Sequence, residues 1–194
     1  MQYTLLTLIA DPDWDLIMPI IMAAILLPFM VALFVAIRKG VKLSRLALPD
    51  FLPGDQPPDD PAFGKVGGYY AGSSFVNERF LFFGRLPVIG KGYEVKGNGK
   101  IWLSPECVMI GRYFTRKPLV IPFALIHKVD VGFGGFSGKR IPGPIIRITW
   151  GRKELPMVSG IQVSLKRKVA DRWAAEISRR AEVWRDKLSE EKEA

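Results

Sequence analysis

The sequence holds one cysteine, Cys107, and one histidine, His127, in 194 residues. No intrachain disulfide is possible, which fits a reducing compartment for the folded part. A catalytic dyad or metal cluster built from His and Cys is excluded by inventory. Carboxylates are also scarce where chemistry would need them. Positions 75–168 hold five, Glu78, Glu94, Glu106, Asp130 and Glu154, scattered singly, so paired acid–base catalysis has no support. Lys and Arg are missing from the start of the chain, where Asp11, Asp13 and Asp15 stand instead. A cleaved signal peptide needs a basic leader, and this chain has none.

Phosphate-binding motifs are absent too. The glycine-rich stretch 132–140, GFGGFSGKR, has Phe133 where a Walker A motif needs glycine, and Arg140 where it needs Ser or Thr. A dinucleotide fingerprint fails at Ser137. Ser137 and Ser159 lack a nucleophile-elbow context. His127 reads as a packed or surface histidine, and Cys107 as a small packing residue. The chain therefore reads as a non-enzyme without a cofactor or metal.

What is present begins with residues 16–37, LIMPIIMAAILLPFMVALFVAI, a run with no charge. At ~1.5 Å per residue it makes a helix of roughly 33 Å, enough for a ~30 Å hydrocarbon core. Membrane helices tolerate Pro19 and Pro28. Behind the run stand Arg38, Lys39, Lys42 and Arg45. Positive charge stays in the cytoplasm, so residues 1–15 are expected outside and residues 38–194 inside. The apolar run 3–10 is too short to span; the outer bilayer face and a neighbouring membrane subunit are both open to it. Residues 38–48 interleave basic and apolar positions, as headgroup contact or simple topology-setting charge would require. A proline-rich spacer, PDFLPGDQPPDDPAFG, follows, and 64–74 reads as its flexible end or an irregular lead.

From residue 75 the pattern is short and alternating. Strands are expected at 78–86, 93–96, 100–104, 108–114, 119–123 and 145–150, and along Ile161, Val163 and Leu165. Gly97-Asn98-Gly99 reads as a hairpin turn and Thr115-Arg116-Lys117 as a polar one. Residues 132–144, with five glycines and two prolines, are expected as a loop outside the ladder. The period then switches: Val169, Trp173, Ile177, Ala181, Trp184 and Leu188 form one stripe of a capping helix. Domain bounds follow as 1–15, the transmembrane 16–37, the juxtamembrane segment and linker 38–74, the folded domain 75–188 and a charged tail 189–194.

Two stretches carry a family resemblance. Gly99-Lys100-Ile101-Trp102-Leu103-Ser104 with Val108-Met109-Ile110, and Ile121-Pro122-Phe123 with Ile126-His127-Lys128-Val129, look like strands of the bacterial pleckstrin-homology (PH) and GRAM-type domains. Trp173 is similar to the tryptophan many PH domains carry in their last helix. The resemblance covers roughly residues 75–188. Strands followed by one capping helix make the chain α+β. Behind its one transmembrane helix, in which it departs from the several that bacterial PH proteins often carry, the resemblance implies a PH-like small antiparallel β-barrel or sandwich capped by a C-terminal amphipathic helix. It also implies a binding module, here on a single-pass protein of the cell (inner) membrane.

Charge supplies the candidate partner. Positions 75–168 carry seventeen Lys and Arg against five carboxylates, an excess of +12 in a chain of net +9. Anionic lipid headgroups or a membrane protein complex fit that balance, the latter making the chain an accessory or assembly subunit. Nucleic acid would explain the charge but not the anchor. The residues expected to make contact are Arg38, Lys39, Lys42 and Arg45 beside the membrane, and Phe133, Phe136, Lys139 and Arg140 on the loop.

Overall fold

A computed structural model describes residues 14–47, 63–76, 86–88, 92–113, 118–133, 136 and 140–193. The chain divides into two compact units, Met1–Lys39 and Gly40–Ala194. In the first, helix α1 (Trp14–Ala47) starts and runs unbroken through Pro19 and Pro28 into the second. Its stretch Ile17–Leu43 is long and apolar enough to cross a membrane. The apolar side chains of this stretch are almost all exposed, as a helix covered by lipid would require.

The second unit is an antiparallel sheet and one long helix. The strands are β1 (Val66–Phe75), β2 (Leu86–Pro87), β3 (Gly97–Leu103), β4 (Cys107–Arg112), β5 (Leu119–Pro122), β6 (Ile126–Gly132), β7 (Ile145–Arg152) and β8 (Leu155–Gln162). They follow the order β5-β4-β3-β1-β8-β7-β6, with β2 paired only to the end of β1. Two three-strand meanders thus hang on the two sides of β1. Serving both takes a bend, which comes at a register shift between Tyr70 and Gly72. Gly72 has φ +96°, a conformation that disfavours any residue with a Cβ.

Several expected elements differ in the structure, among them the strand at 93–96, which is a turn leading into β3. Residues 66–75 form the central strand, so the folded domain begins before position 75. Their glycines and serines hid a strand whose neighbours supply the apolar cover. Gly97-Asn98-Gly99 is no hairpin turn but the start of β3, paired with Tyr70-Tyr69-Gly68. Glycine is needed at 99 because a Cβ there would lie 2.0 Å from the Gly111 carbonyl oxygen of β4. Strand β8 stops at Gln162, leaving Leu165 70% exposed instead of facing the core. Finally, helix α2 (Arg167–Glu193) absorbs most of the expected tail. The strand expected at 78–86 falls, but for Leu86, outside the described residues, as does the turn 115–117.

In place of the expected small barrel or sandwich there is an open sheet, because edge strands β5 and β6 do not pair. They are nonetheless consecutive in sequence, joined by the single 3-10 turn Phe123–Leu125. That link brings the two edges together at one corner, and α2 packs on β6 and on this turn. Its apolar stripe, Ala170, Trp173, Ala174, Ile177 and Ala181, is buried. Ile146, Ile148, Ile161 and Val163 are also buried, as their alternation requires. Farther along, Arg180 donates to the Ser104 carbonyl (3.0 Å) and the Trp184 indole to that of Pro105 (3.1 Å). The helix thereby bridges the corner to the β3–β4 turn.

One charged clasp rides on α2. Glu176 accepts from Arg179 (2.6 and 2.9 Å) and Arg180 (2.7 Å). These bonds, Arg179 first, hold its carboxyl down to about 2 from the ordinary 4.5. A depressed carboxylate contributes stability that is present above pH 4.5 and lost as pH falls toward 2. Thermal melts across that window should therefore fall more steeply for the wild type than for Glu176→Gln; parallel curves would show that the clasp contributes nothing.

Candidate functional site

The first group of expected contact residues lies on α1. Arg38, Lys39 and Lys42 are exposed, and the Arg38 guanidinium sits 5.4 Å from the Phe34 ring centroid. That geometry lets the cation emerge from an apolar helix while its stem stays against an aromatic face. Arg45 belongs to the same helix.

The second group does not stay together. Phe133, just past β6, is 57% exposed, and Arg167 at the start of α2 places its guanidinium 5.2 Å from the ring. Arg140 is exposed as well. Phe136 is 3% exposed: it packs with Ala71, Ile141, Ile145 and Val158 in a small apolar cluster. Of the two places open to these rings, contact with a partner or folding back over the domain, Phe136 takes the second and is no contact residue. The ring has a bed because Gly160 lacks a side chain; a Cβ there would stand 2.8 Å from Phe136 Cγ. Lys139 lies outside the described residues.

Around Phe133 the fold gathers residues that the sequence reading placed elsewhere. Arg167 is followed by Lys168 and preceded by Lys166 and Leu165, all exposed. Leu165 packs beside Gly143, in the same segment as Arg140. Across a shallow groove from Leu165 stands Tyr113, 65% exposed. Phe133 is thus tied to Arg167, which follows Leu165 and Lys166 at the start of α2, and Leu165 lines one groove with Tyr113. One carboxylate, Asp171, offsets part of this charge by pairing with Arg167 at 2.8 Å. The missed signal was Leu165-Lys166-Arg167-Lys168, an apolar residue against three cations where a strand gives way to a helix.

The groove holds about 320 Å³. It opens where β8 has left β1, and is lined by Gly67, Gly68, Tyr69, Asn98, Gly99, Tyr113 and the run from Gln162 to Leu165. Gln162 ties its floor to the loop by donating to the Pro142 carbonyl. Strand register sets Lys100 directly across from Gly67.

No family model matches this sequence, and no curated protein matches it either.

Other polar groups are absorbed by the structure. A hydrogen-bonded chain crosses the interior from the Tyr93 carbonyl to the Tyr70 hydroxyl (3.0 Å), Ser73, Ser159 and the Trp150 indole (2.8 Å to Ser159). Burial raises both tyrosines far above their ordinary range, so they serve as neutral bonded groups. Cys107 is buried, and burial, with Glu106 adding to it, pushes its thiol up to about 12. A thiol in that state is unreactive. His127 is exposed and pairs through Nε2 with the Gly151 carbonyl at 2.6 Å.

Proposed function

We propose that this chain is a membrane-anchored, non-catalytic binding module: a PH-like domain held at the cytoplasmic face of the inner membrane, where it contacts anionic lipid. The observation that carries the reading is the exposed run Leu165-Lys166-Arg167-Lys168, with the Phe133 ring against Arg167 and exposed Tyr113 in the same groove lining as Leu165. Together with exposed Arg140 these make the rim of the proposed contact. Each basic residue near an anionic surface adds about 1 kcal/mol, and a buried aromatic ring adds roughly 2 kcal/mol more. A tether to the bilayer raises effective concentration, so contacts of this size suffice. Arg38, Lys39, Lys42 and Arg45 on α1 fit a helix end among headgroups, with residues 1–15 on the far side. The PH-like reading is supported by the antiparallel strand succession, the convergence of its two edges at one corner and the closing helix.

The test uses the full chain in vesicles, with Phe133→Cys carrying an environment-sensitive dye. Cys107 is buried and unreactive, so the label goes to one place. A quencher attached to lipid should dim the dye in anionic bilayers, and salt should restore it by screening the rim. Unquenched dye in anionic bilayers would overturn the lipid reading. Stoichiometric co-purification with one membrane protein would then favour an accessory subunit.

A further inference from the structure

We infer that the groove beside the start of β1 receives the polyol headgroup of an anionic phospholipid, an inference that rests on the lipid-contact reading and specifies its ligand. The groove is lined by residues whose hydrogen-bonding side chains carry no charge, Asn98, Gln162, Tyr113 and Ser164, of which Gln162 also donates to the Pro142 carbonyl and Ser164 also accepts from the Lys166 N–H. The Asn98 amide and the Tyr113 hydroxyl belong to exposed side chains at this groove. Amides and hydroxyls both donate and accept, which is what an array of vicinal hydroxyls requires. A volume of about 320 Å³ takes a glycerol or a single sugar ring with room to spare.

Charge around the groove narrows the choice. Among the described residues no carboxylate lines it, so none of these opposes a phosphate. Cations stand at its edges: Lys100 faces Gly67 across the β1–β3 ladder, and Lys166, Arg167 and Lys168 follow directly on Leu165. A serine headgroup brings an ammonium that finds no carboxylate partner among the described lining residues, and its own carboxylate is drawn to the cations at the edges and away from the uncharged floor. A glycerol headgroup carries the same net lipid charge without that penalty. Exposed Leu165 and Tyr113 meanwhile present apolar surface where the acyl side of the lipid would lie.

Gly67 provides the test. By alternation it shares a face with Tyr69 and, through the register, with Asn98 and Lys100. A Cβ added there meets nothing within 4 Å, and its backbone lies outside the left-handed region. Gly67→Leu should therefore fill the groove without disturbing the strand, and an unchanged melting curve would verify this. The full chain in non-ionic detergent is offered an equimolar mixture of phosphatidylglycerol and phosphatidylserine, and native mass spectrometry counts each retained lipid. Wild type should prefer phosphatidylglycerol about ten-fold, the weight of one or two net hydrogen bonds. Gly67→Leu, and independently Asn98→Ala, should bring the ratio near one while total anionic lipid is kept. Equal retention by wild type, or a preference that survives both substitutions, overturns the groove inference and leaves the rim reading standing. Retention of neither lipid overturns both.

Discussion

A chain stopped after Leu165, and so lacking α2, should fail to accumulate as a folded protein. The helix buries Ala170, Trp173, Ala174, Ile177 and Ala181, and its loss would uncover Ile126 and Phe123 at the corner where the sheet edges converge. Burying one large apolar side chain is worth about 1.5–3 kcal/mol. Two such residues, three alanines and the partner surface together reach the 5–15 kcal/mol that a whole domain has to spare. The corner also has no substitute cover, because β5 and β6 do not pair with each other. The expected readout is rapid proteolysis of residues 64–165 while the membrane helix remains in the bilayer. A finer variant, Ile177→Asp in the full chain, places an unpaired charge at a fully buried position and should produce the same loss. A truncated chain that resists protease and melts cooperatively would refute the capping role of α2.

That helix was legible because its signal is periodic and long. Trp173, Ile177 and Ala181 repeat at helical spacing for many turns, and no alternative structure satisfies that pattern. Strand β7 was legible for the same reason, with Ile146, Ile148 and Trp150 buried and Arg147 and Thr149 between them half-buried. Strand β1 was not. Val66-Gly67-Gly68-Tyr69-Tyr70-Ala71-Gly72-Ser73-Ser74 has little apolar content of its own, and propensity places its glycines in loops. Its stability comes from β3 on one side and β8 on the other, partners distant in sequence. Ser73 can be buried because it is bonded within the Tyr70–Ser159 chain, whereas the buried Ser74 hydroxyl has no hydrogen-bond partner among the described residues. None of this is local information.

The hairpin expected at Gly97-Asn98-Gly99 failed by a related route. Asn-Gly favours a tight turn, but the same glycine also permits two backbones to approach, as β3 and β4 do at Gly99 and Gly111. A sequence cannot say which use its glycine serves. The candidate surface was half legible on similar grounds. Aromatic and basic residues in the loop 132–144 pointed to a contact region, yet Leu165, Tyr113 and Arg167 join it only through the fold. The loop's two rings, alike in sequence, separate because only one of them lies over a glycine on the sheet.

That separation makes Phe133 and Phe136 respond oppositely to the same substitution. Phe136→Ser should cost about 3–5 kcal/mol, as for other emptied aromatic core positions, with a buried hydroxyl left to bond nothing. In a domain of this size that is a fall in melting temperature of roughly 10 °C or more. Phe133→Ser gives up only an exposed ring and its contact with Arg167 at 5.2 Å, together at most about 1 kcal/mol. Binding to anionic bilayers should invert the order: Phe133→Ser loses contact while its melt is nearly unchanged, and Phe136→Ser loses contact only in proportion to the fraction unfolded. Phe136→Leu separates packing from contact, since it restores most of the apolar volume without an aromatic face and should recover much of the stability. If Phe136→Ser instead melts like wild type, the ring is not core and the cluster with Ala71, Ile141, Ile145 and Val158 contributes nothing. If Phe133→Ser leaves binding intact in every bilayer, the exposed ring is incidental and the rim acts through its cations alone.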